Sequence, residues 1–144
     1  DNLILAIHAH KNRYGLATMD FTSGRFLISE CHTDEQLQSE LERIKPAEVL
    51  ISEKLTEDHF LRQLRQVNFR PHWDFDLNSA KRALCEQFQT RDLSTFGCDD
   101  QSIALSAAGS LLLYVKTTQK QSLPHINRIS IEHPDNMVIL DAAT

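Results

Sequence analysis

Residues 88–97 read Phe88-Gln89-Thr90-Arg91-Asp92-Leu93-Ser94-Thr95-Phe96-Gly97, and the helical stretch that follows contains Ala107-Ala108-Gly109-Ser110-Leu111-Leu112-Leu113-Tyr114. Four consecutive small residues, from Ala107 to Ser110, allow a helix to approach a neighbouring backbone closely. Gly109 would cost about 1 kcal/mol relative to alanine in a helix interior, so it indicates a position without room for a side chain. We predict that this part of the helix is pressed against a sheet.

Three antiparallel strands are predicted before that region. They cover residues 2–9, 14–21 and 25–31, and polar turns at Lys11-Asn12-Arg13 and Thr22-Ser23-Gly24 separate them. The first strand is a nearly unbroken apolar run, which is typical of a strand buried on both faces. The spacing therefore predicts a meander with residues 2–9 in the middle of the sheet.

Helices and strands then alternate. Thr33 and Gln36 form a capping box for a helix that ends at Pro46, and residues 49–52 form a short buried strand. Residues 60–67 repeat the helical spacing, and residues 71–75 alternate like a strand near a sheet edge. Asn78 can cap the next helix, and Asp99 or Asp100 can cap a long final helix of about residues 101–118.

These elements predict an α/β fold. A three-stranded antiparallel meander followed by helix-strand units gives a mixed five-stranded sheet with helices on both faces, the ribonuclease H-like arrangement. Two short apolar segments, residues 129–132 and 137–140, follow the last helix and are expected to form a separate appendage.

The composition limits the function. The chain has 144 residues, a net charge of −5 and no apolar run near the roughly 20 residues that a membrane helix needs. Its basic residues are interleaved with acids, so strong DNA binding by this chain alone is not expected. Three separated cysteines fit neither a disulfide framework nor a zinc site, which favours the cytoplasm. From the first residues we expect the chain to be a fragment of a longer protein.

Seven segments in this order resemble one family. They are Gly15-Leu16-Ala17-Thr18-Met19-Asp20, Ser23-Gly24-Arg25-Phe26, Pro46-Ala47-Glu48-Val49-Leu50, Trp73-Asp74-Phe75, the run from Phe88 to Gly97, Leu123-Pro124-His125-Ile126 and Asp141-Ala142-Ala143-Thr144. Together they are similar to the connector domain, domain II, of the MutS family of bacterial DNA mismatch repair proteins. The resemblance implies a connector over residues 1–121 and the start of the core and lever domain over residues 122–144.

The resemblance also implies a role. In MutS proteins the connector joins the mismatch-reading domain to the core that carries the clamp and the ATPase, and it offers a surface to MutL. We expect that surface at Lys81, Arg82, Cys85 and Glu86, and a structural role for the motif residues Phe88, Arg91, Asp92, Leu93, Phe96, Gly97 and Gly109. ATP, magnesium and mismatched DNA would be bound by the parent protein outside this chain, and we expect an isolated monomer without a cofactor.

Two alternatives to the connector role are a metal-dependent nuclease and a nucleic-acid-binding module. Ribonuclease H-like nucleases hold two metal ions with carboxylates, one of them in the first strand, whereas this first strand has none and only Glu53 follows the fourth. His8 and His10 read as polar residues at a strand end, and Trp73 and Phe75 as core packing. The sequence contains no glycine-rich phosphate-binding loop. We therefore predict no catalytic site.

Overall fold

The computed structural model describes residues 3–20, 22–58, 60–98, 100–120 and 123–133. These residues form an α/β fold with one mixed sheet of six strands in the order β5-β4-β1-β2-β3-β6. The elements are β1 (Ile4–His10), β2 (Arg13–Asp20), β3 (Arg25–Cys31), α1 (Asp34–Ile44), β4 (Glu48–Ser52), β5 (Val67–Arg70), α2 (Leu77–Phe88), α3 (Ser102–Gln119) and β6 (Ser130–Ile131).

The predicted meander is confirmed. β1 pairs antiparallel with β2, and β2 pairs antiparallel with β3. Lys11 and Asn12, between β1 and β2, have φ of +50° and +63°, the conformation that a tight two-residue hairpin turn requires. β4 is parallel to β1 and lies beside it, which places β1 in the middle of the sheet. Asn2 and Phe21, the predicted strand ends, lie outside the described residues.

The predicted fifth strand is wrong. β5 is Val67–Arg70, which pairs parallel with β4, and His72–Phe75 is a 3₁₀ turn. Pro71 has no backbone N–H for a sheet ladder. The helix predicted over residues 60–67 is reduced to a 3₁₀ turn, Leu61–Gln63, because Gln66 takes a φ of +60°. The apolar spacing arises because the turn and the strand face the same core.

A sixth strand replaces part of the predicted appendage. β6 pairs parallel with β3, and the Glu132 backbone N–H donates to the Ile28 carbonyl at 2.7 Å. Leu123, Ile126 and Ile129 are buried. The first predicted segment, residues 129–132, therefore contributes β6 to this sheet. The second predicted segment, residues 137–140, lies outside the described residues.

The helix starts match the prediction in one case of three. Thr33 Oγ1 accepts from the Gln36 backbone N–H at 3.0 Å at the start of α1, as predicted. For α2 the cap is Asp76, which accepts from the Ser79 N–H at 2.9 Å, and not Asn78. Aspartate and asparagine are equally good caps, so the sequence does not choose between them.

The start of α3 also differs from the prediction. The residue before its first turn is Gln101, whose side chain makes no capping hydrogen bond. Asp100 is therefore not the cap, and Asp99 lies outside the described residues.

Helices cover both faces of the sheet. On one face, Leu37 of α1 packs with Leu5 and Ile7 of β1. On the other face, α3 packs with Ala6 of β1 and Ala17 of β2, and α2 packs on α3. Because successive residues of a strand point to opposite faces, β1 contributes to both cores.

Two glycines allow α3 to approach its neighbours. A Cβ on Gly15 of β2 would lie 2.2 Å from the carbonyl carbon of Ile103, so α3 begins directly on the sheet there. A Cβ on Gly109 would lie 2.3 Å from the Ala80 Cβ of α2. The predicted packing of α3 against the sheet is confirmed, since α3 contacts β1 and β2, but the close neighbour of Gly109 itself is the helix α2.

Candidate functional site

A groove on the outer side of α2 brings together two regions that the sequence analysis treated separately. It measures about 340 Å³ and is lined by Lys81, Arg82, Cys85, Arg91, Asp92 and Leu93. The chain folds back because Gln89, with a φ of +55°, ends α2, and the Thr90 N–H then donates to the Cys85 carbonyl at 3.0 Å. The left-handed backbone conformation of Gln89 turns the chain and places residues 91–93 beside the last turns of α2.

The loop that forms the second wall is fixed by aromatic packing and hydrogen bonds. The Phe88 ring lies edge-on to Phe26 and Phe96, with centroid distances of 6.3 and 5.1 Å. Leu93 is buried, and its carbonyl accepts a hydrogen bond from the Cys98 thiol at 3.6 Å. Gly97 ends the following 3₁₀ turn with a φ of +70°. The groove is therefore built on a packed loop.

The rim of the groove is positively charged. Lys81, Arg82 and Arg91 are exposed, and none of them forms an ion pair with any described residue. Asp92 is the one carboxylate among the described lining residues, and its Oδ1 accepts from both the backbone N–H (2.9 Å) and the hydroxyl of Ser94. These bonds lower the pKa of the Asp92 side chain and orient its carboxylate toward Ser94 of the loop.

The floor of the groove is apolar. Leu93 contributes its buried side chain, and Cys85 is half-buried. Burial raises the pKa of the Cys85 thiol, and the Asp92 carboxylate adds to the effect. The thiol therefore stays protonated at neutral pH and acts as a small apolar group.

Most of the predicted partner-binding residues lie in this groove. Lys81, Arg82 and Cys85 line it, whereas Glu86 is exposed on α2 outside the lining. The structural role that the sequence analysis predicts for Arg91, Asp92 and Leu93 does not include their place in the wall of the groove. A glycine at a helix end signals such a reversal of the chain, and Gln89 gives no comparable signal.

A second, more open cleft of about 620 Å³ lies at the end of β1. Its lining includes His8, His10, His72, Trp73 and Phe75. Phe75 is buried, as predicted, and stacks on the His8 ring at a centroid distance of 5.5 Å. Trp73 is 64% exposed, so its assignment to the core is wrong. It lies in the 3₁₀ turn that replaces the predicted strand.

His8 makes the stability of the fold depend on pH. Burial lowers the pKa of His8 below its usual 6.5, and the charge of His10 lowers it further. Its Nδ1 has no hydrogen-bond partner among the described residues. Because the unfolded chain binds this proton more readily, stability should fall as the pH drops from about 7 through 6.5 toward the folded-state pKa. Urea unfolding at several pH values should show a smaller loss for His8→Phe, and an equal loss would contradict this assignment.

The carboxylate on which the nuclease alternative depends lies at the surface. Glu53 is exposed in a 3₁₀ turn after β4. Its neighbouring carboxylate, Asp74, lies 3.7 Å from the Arg70 guanidinium. Within the described ranges, no group of three His, Cys, Asp or Glu side chains is arranged to hold a metal ion.

Comparison with known families decides the identity of the domain. Residues 2–127 match the family model described as MutS domain II. The chain belongs to this family. MutS domain II is the non-catalytic connector domain of a DNA mismatch repair protein. Among the residues that the structure describes, no helix has the length and apolarity to span a membrane.

Proposed function

We propose that this chain is the mechanical connector of a MutS-type mismatch repair ATPase. It couples the mismatch-recognition domain to the core, the clamp and the ATPase, and it offers the α2 groove to MutL. The observation that carries the proposal is a cationic groove on a family member without catalytic carboxylates in β1. In this proposal ATP, magnesium and mismatched DNA bind elsewhere in the cytoplasmic parent, and the isolated chain is a monomer.

We further propose that the fold is ribonuclease H-like with one added edge strand. The antiparallel meander β1-β2-β3 occupies one half of the sheet, and the parallel strands β4 and β5 occupy the other half. Helices follow β3 and β5 in the chain. This arrangement supports the assignment, and β6 extends the meander edge.

Mechanical coupling requires that the chain leave the domain through a firm attachment. Gln87 Nε2 donates to the carbonyls of Leu123 and Ile126 at 2.8 and 2.9 Å, which joins α2 to the segment after α3. Arg43 of α1 bonds Glu40 and Glu132, both carboxylates lying within 3.0 Å. A displacement of residues 123–133 would therefore pull on α2 and α1 directly.

The boundary between domains is part of the same proposal. We assign residues 122–144 to the start of the core and lever domain. The family match extends into this segment to residue 127, and residues 123–133 pack on the connector sheet. The last residues, Asp141-Ala142-Ala143-Thr144, lie outside the described residues. In this arrangement the first residues of the core and lever domain are attached to the connector by hydrogen bonds and packing.

A small polar surface suits a transient contact with MutL. Lys81, Arg82 and Glu86 are exposed on α2, and the six described residues that line the groove are far fewer than the roughly 20 to 30 residues a side of a stable interface. Transient signalling contacts are at the small end of interface sizes, which suits a step gated by ATP.

The two alternatives can be tested on the 144-residue chain alone. We expect no cleavage of single-stranded or duplex DNA or RNA with magnesium or manganese. We also expect no DNA affinity that falls steeply with salt, the sign of counterion release. Metal-dependent cleavage that disappears in Glu53→Gln would establish the nuclease and overturn the non-catalytic connector role.

A further inference from the structure

The α2 groove combines an apolar floor with a cationic rim, and this combination defines the chemistry of its occupant. We infer that the groove binds an acidic segment of the partner protein that inserts one apolar side chain between Cys85 and Leu93. The inference rests on the proposed function, because it names the kind of segment that the MutL surface accepts.

The floor requires an apolar group. The Leu93 side chain is apolar and the Cys85 thiol stays protonated, so neither offers a charge to a ligand. A volume of about 340 Å³ is at the small end of the roughly 300 to 1,000 Å³ of sites that hold small organic ligands. One aliphatic side chain with part of its backbone fits such a space. An aliphatic side chain entering the groove would remove apolar surface from water on both partners.

The rim requires negative charge. Among the described lining residues there are three cations, Lys81, Arg82 and Arg91, and one carboxylate, Asp92, so these residues carry a formal charge of 3 − 1 = +2. None of the three cations is in an ion pair with a described residue, whereas Asp92 is bonded to Ser94. Arginines can hold a carboxylate through two parallel hydrogen bonds. Aspartates or glutamates on both sides of the apolar residue would therefore match the rim.

The two walls of the groove make the recognition specific. α2 carries Lys81 and Arg82, and the loop carries Arg91 on the opposite wall. An acidic segment lying along the groove would contact both walls at once. A basic segment would meet like charges on both sides, which disfavours it strongly.

A designed peptide tests the inference on the 144-residue chain. The probe is a fluorescein-labelled Asp-Glu-Asp-Leu-Asp-Glu-Asp peptide, with binding followed by fluorescence anisotropy and by amide chemical shifts in NMR. We expect shifts centred on Cys85 and Leu93, and an affinity that falls with salt. Replacing the peptide leucine by alanine should weaken binding about fivefold, because less apolar surface is buried. A lysine-for-acid version should not bind.

Two variants and a matched control complete the test. Arg82→Glu and Arg91→Glu should each weaken peptide binding about tenfold, which corresponds to about 1.4 kcal/mol. Arg65→Glu, an exposed cation outside the groove, should leave binding unchanged. Circular dichroism and thermal unfolding confirm that each variant is folded. Absence of peptide binding, or shifts away from Cys85 and Leu93, would contradict the inference.

The outcomes for the peptide and for the parent protein are distinguishable. Peptide binding in the groove, with MutL capture by the full-length parent unaffected by Arg82→Glu, would support the chemistry of the groove and remove MutL as its partner. Loss of MutL capture without peptide shifts at Cys85 and Leu93 would overturn this inference and leave the proposed function standing.

Discussion

Gly15→Ala is expected to lower the free energy of unfolding by about 3 kcal/mol or more. The added Cβ would lie 2.2 Å from the Ile103 carbonyl carbon, 2.3 Å from its oxygen and 2.4 Å from the Ala104 nitrogen. All three atoms belong to the backbone of the first turn of α3, which no side-chain rotation can move away. The whole start of α3 would therefore have to shift from β2. Urea unfolding followed by far-ultraviolet circular dichroism measures the loss.

Gly97→Ala is the matched control. Apart from the two chain neighbours, no atom of a described residue lies within 4 Å of a Cβ on Gly97, so its φ of +70° is the main obstacle to the substitution. A left-handed conformation costs a non-glycine residue about 1 to 2 kcal/mol. The difference between the two variants isolates the contact of α3 with the sheet. Equal losses for Gly15→Ala and Gly97→Ala would contradict the close approach.

Phe75→Ala and Trp73→Ala are expected to differ strongly, although the residues are two positions apart. Phe75 is 3% exposed and stacks on His8, so its removal leaves a cavity and should cost about 3 to 5 kcal/mol. Trp73 is 64% exposed, and its removal should change the free energy of unfolding by about 0.5 kcal/mol or less. Urea unfolding of both variants tests the expectation.

The pKa of His8 provides a second comparison of Phe75→Ala with Trp73→Ala. Burial lowers the pKa of His8, and Phe75 is its stacking partner. In Phe75→Ala the His8 ring should become more hydrated, so its pKa should move back toward 6.5, whereas Trp73→Ala should change it less. NMR titration of the His8 ring protons reports this value. A Trp73→Ala variant as unstable as Phe75→Ala would show that the tryptophan is packed in the core.

Local signals explain the parts of the fold that the sequence predicted well. The strands β1, β2 and β3 are separated by two segments with typical turn residues, Lys11-Asn12-Arg13 and Thr22-Ser23-Gly24. The start of α1 combines a threonine cap with apolar residues at helical spacing. Each signal lies within a few residues of the structure it determines, so tertiary packing had nothing to override.

The errors have tertiary causes. β6 pairs with β3, about a hundred residues earlier, and a two-residue strand has almost no pattern of its own. Residues 60–67 have helical apolar spacing, yet the left-handed Gln66 divides them into a turn and a strand. Gly109 signalled a close contact correctly, but its sequence could not show whether the neighbour was a helix or a strand.

The sequence analysis predicted the α2 side of the candidate site but not the loop side. The family resemblance led to Lys81, Arg82 and Cys85 on α2, and the structure puts these three in one groove. Arg91 joins them from the other wall only because Gln89 reverses the chain at the end of α2. A residue type that rarely adopts the left-handed conformation gives no warning of such a turn.

ATP-dependent capture of MutL on mismatched DNA is the measurement that tests the proposed role most directly. The full-length parent carrying Lys81→Glu and Arg82→Glu should capture MutL about tenfold less strongly than the unmodified protein, because two rim charges are reversed. Its affinity for the mismatch should be unchanged in the same preparation, and Arg65→Glu should behave like the unmodified protein. Undiminished MutL capture by the doubly substituted protein would contradict the assignment of the α2 groove as the partner surface.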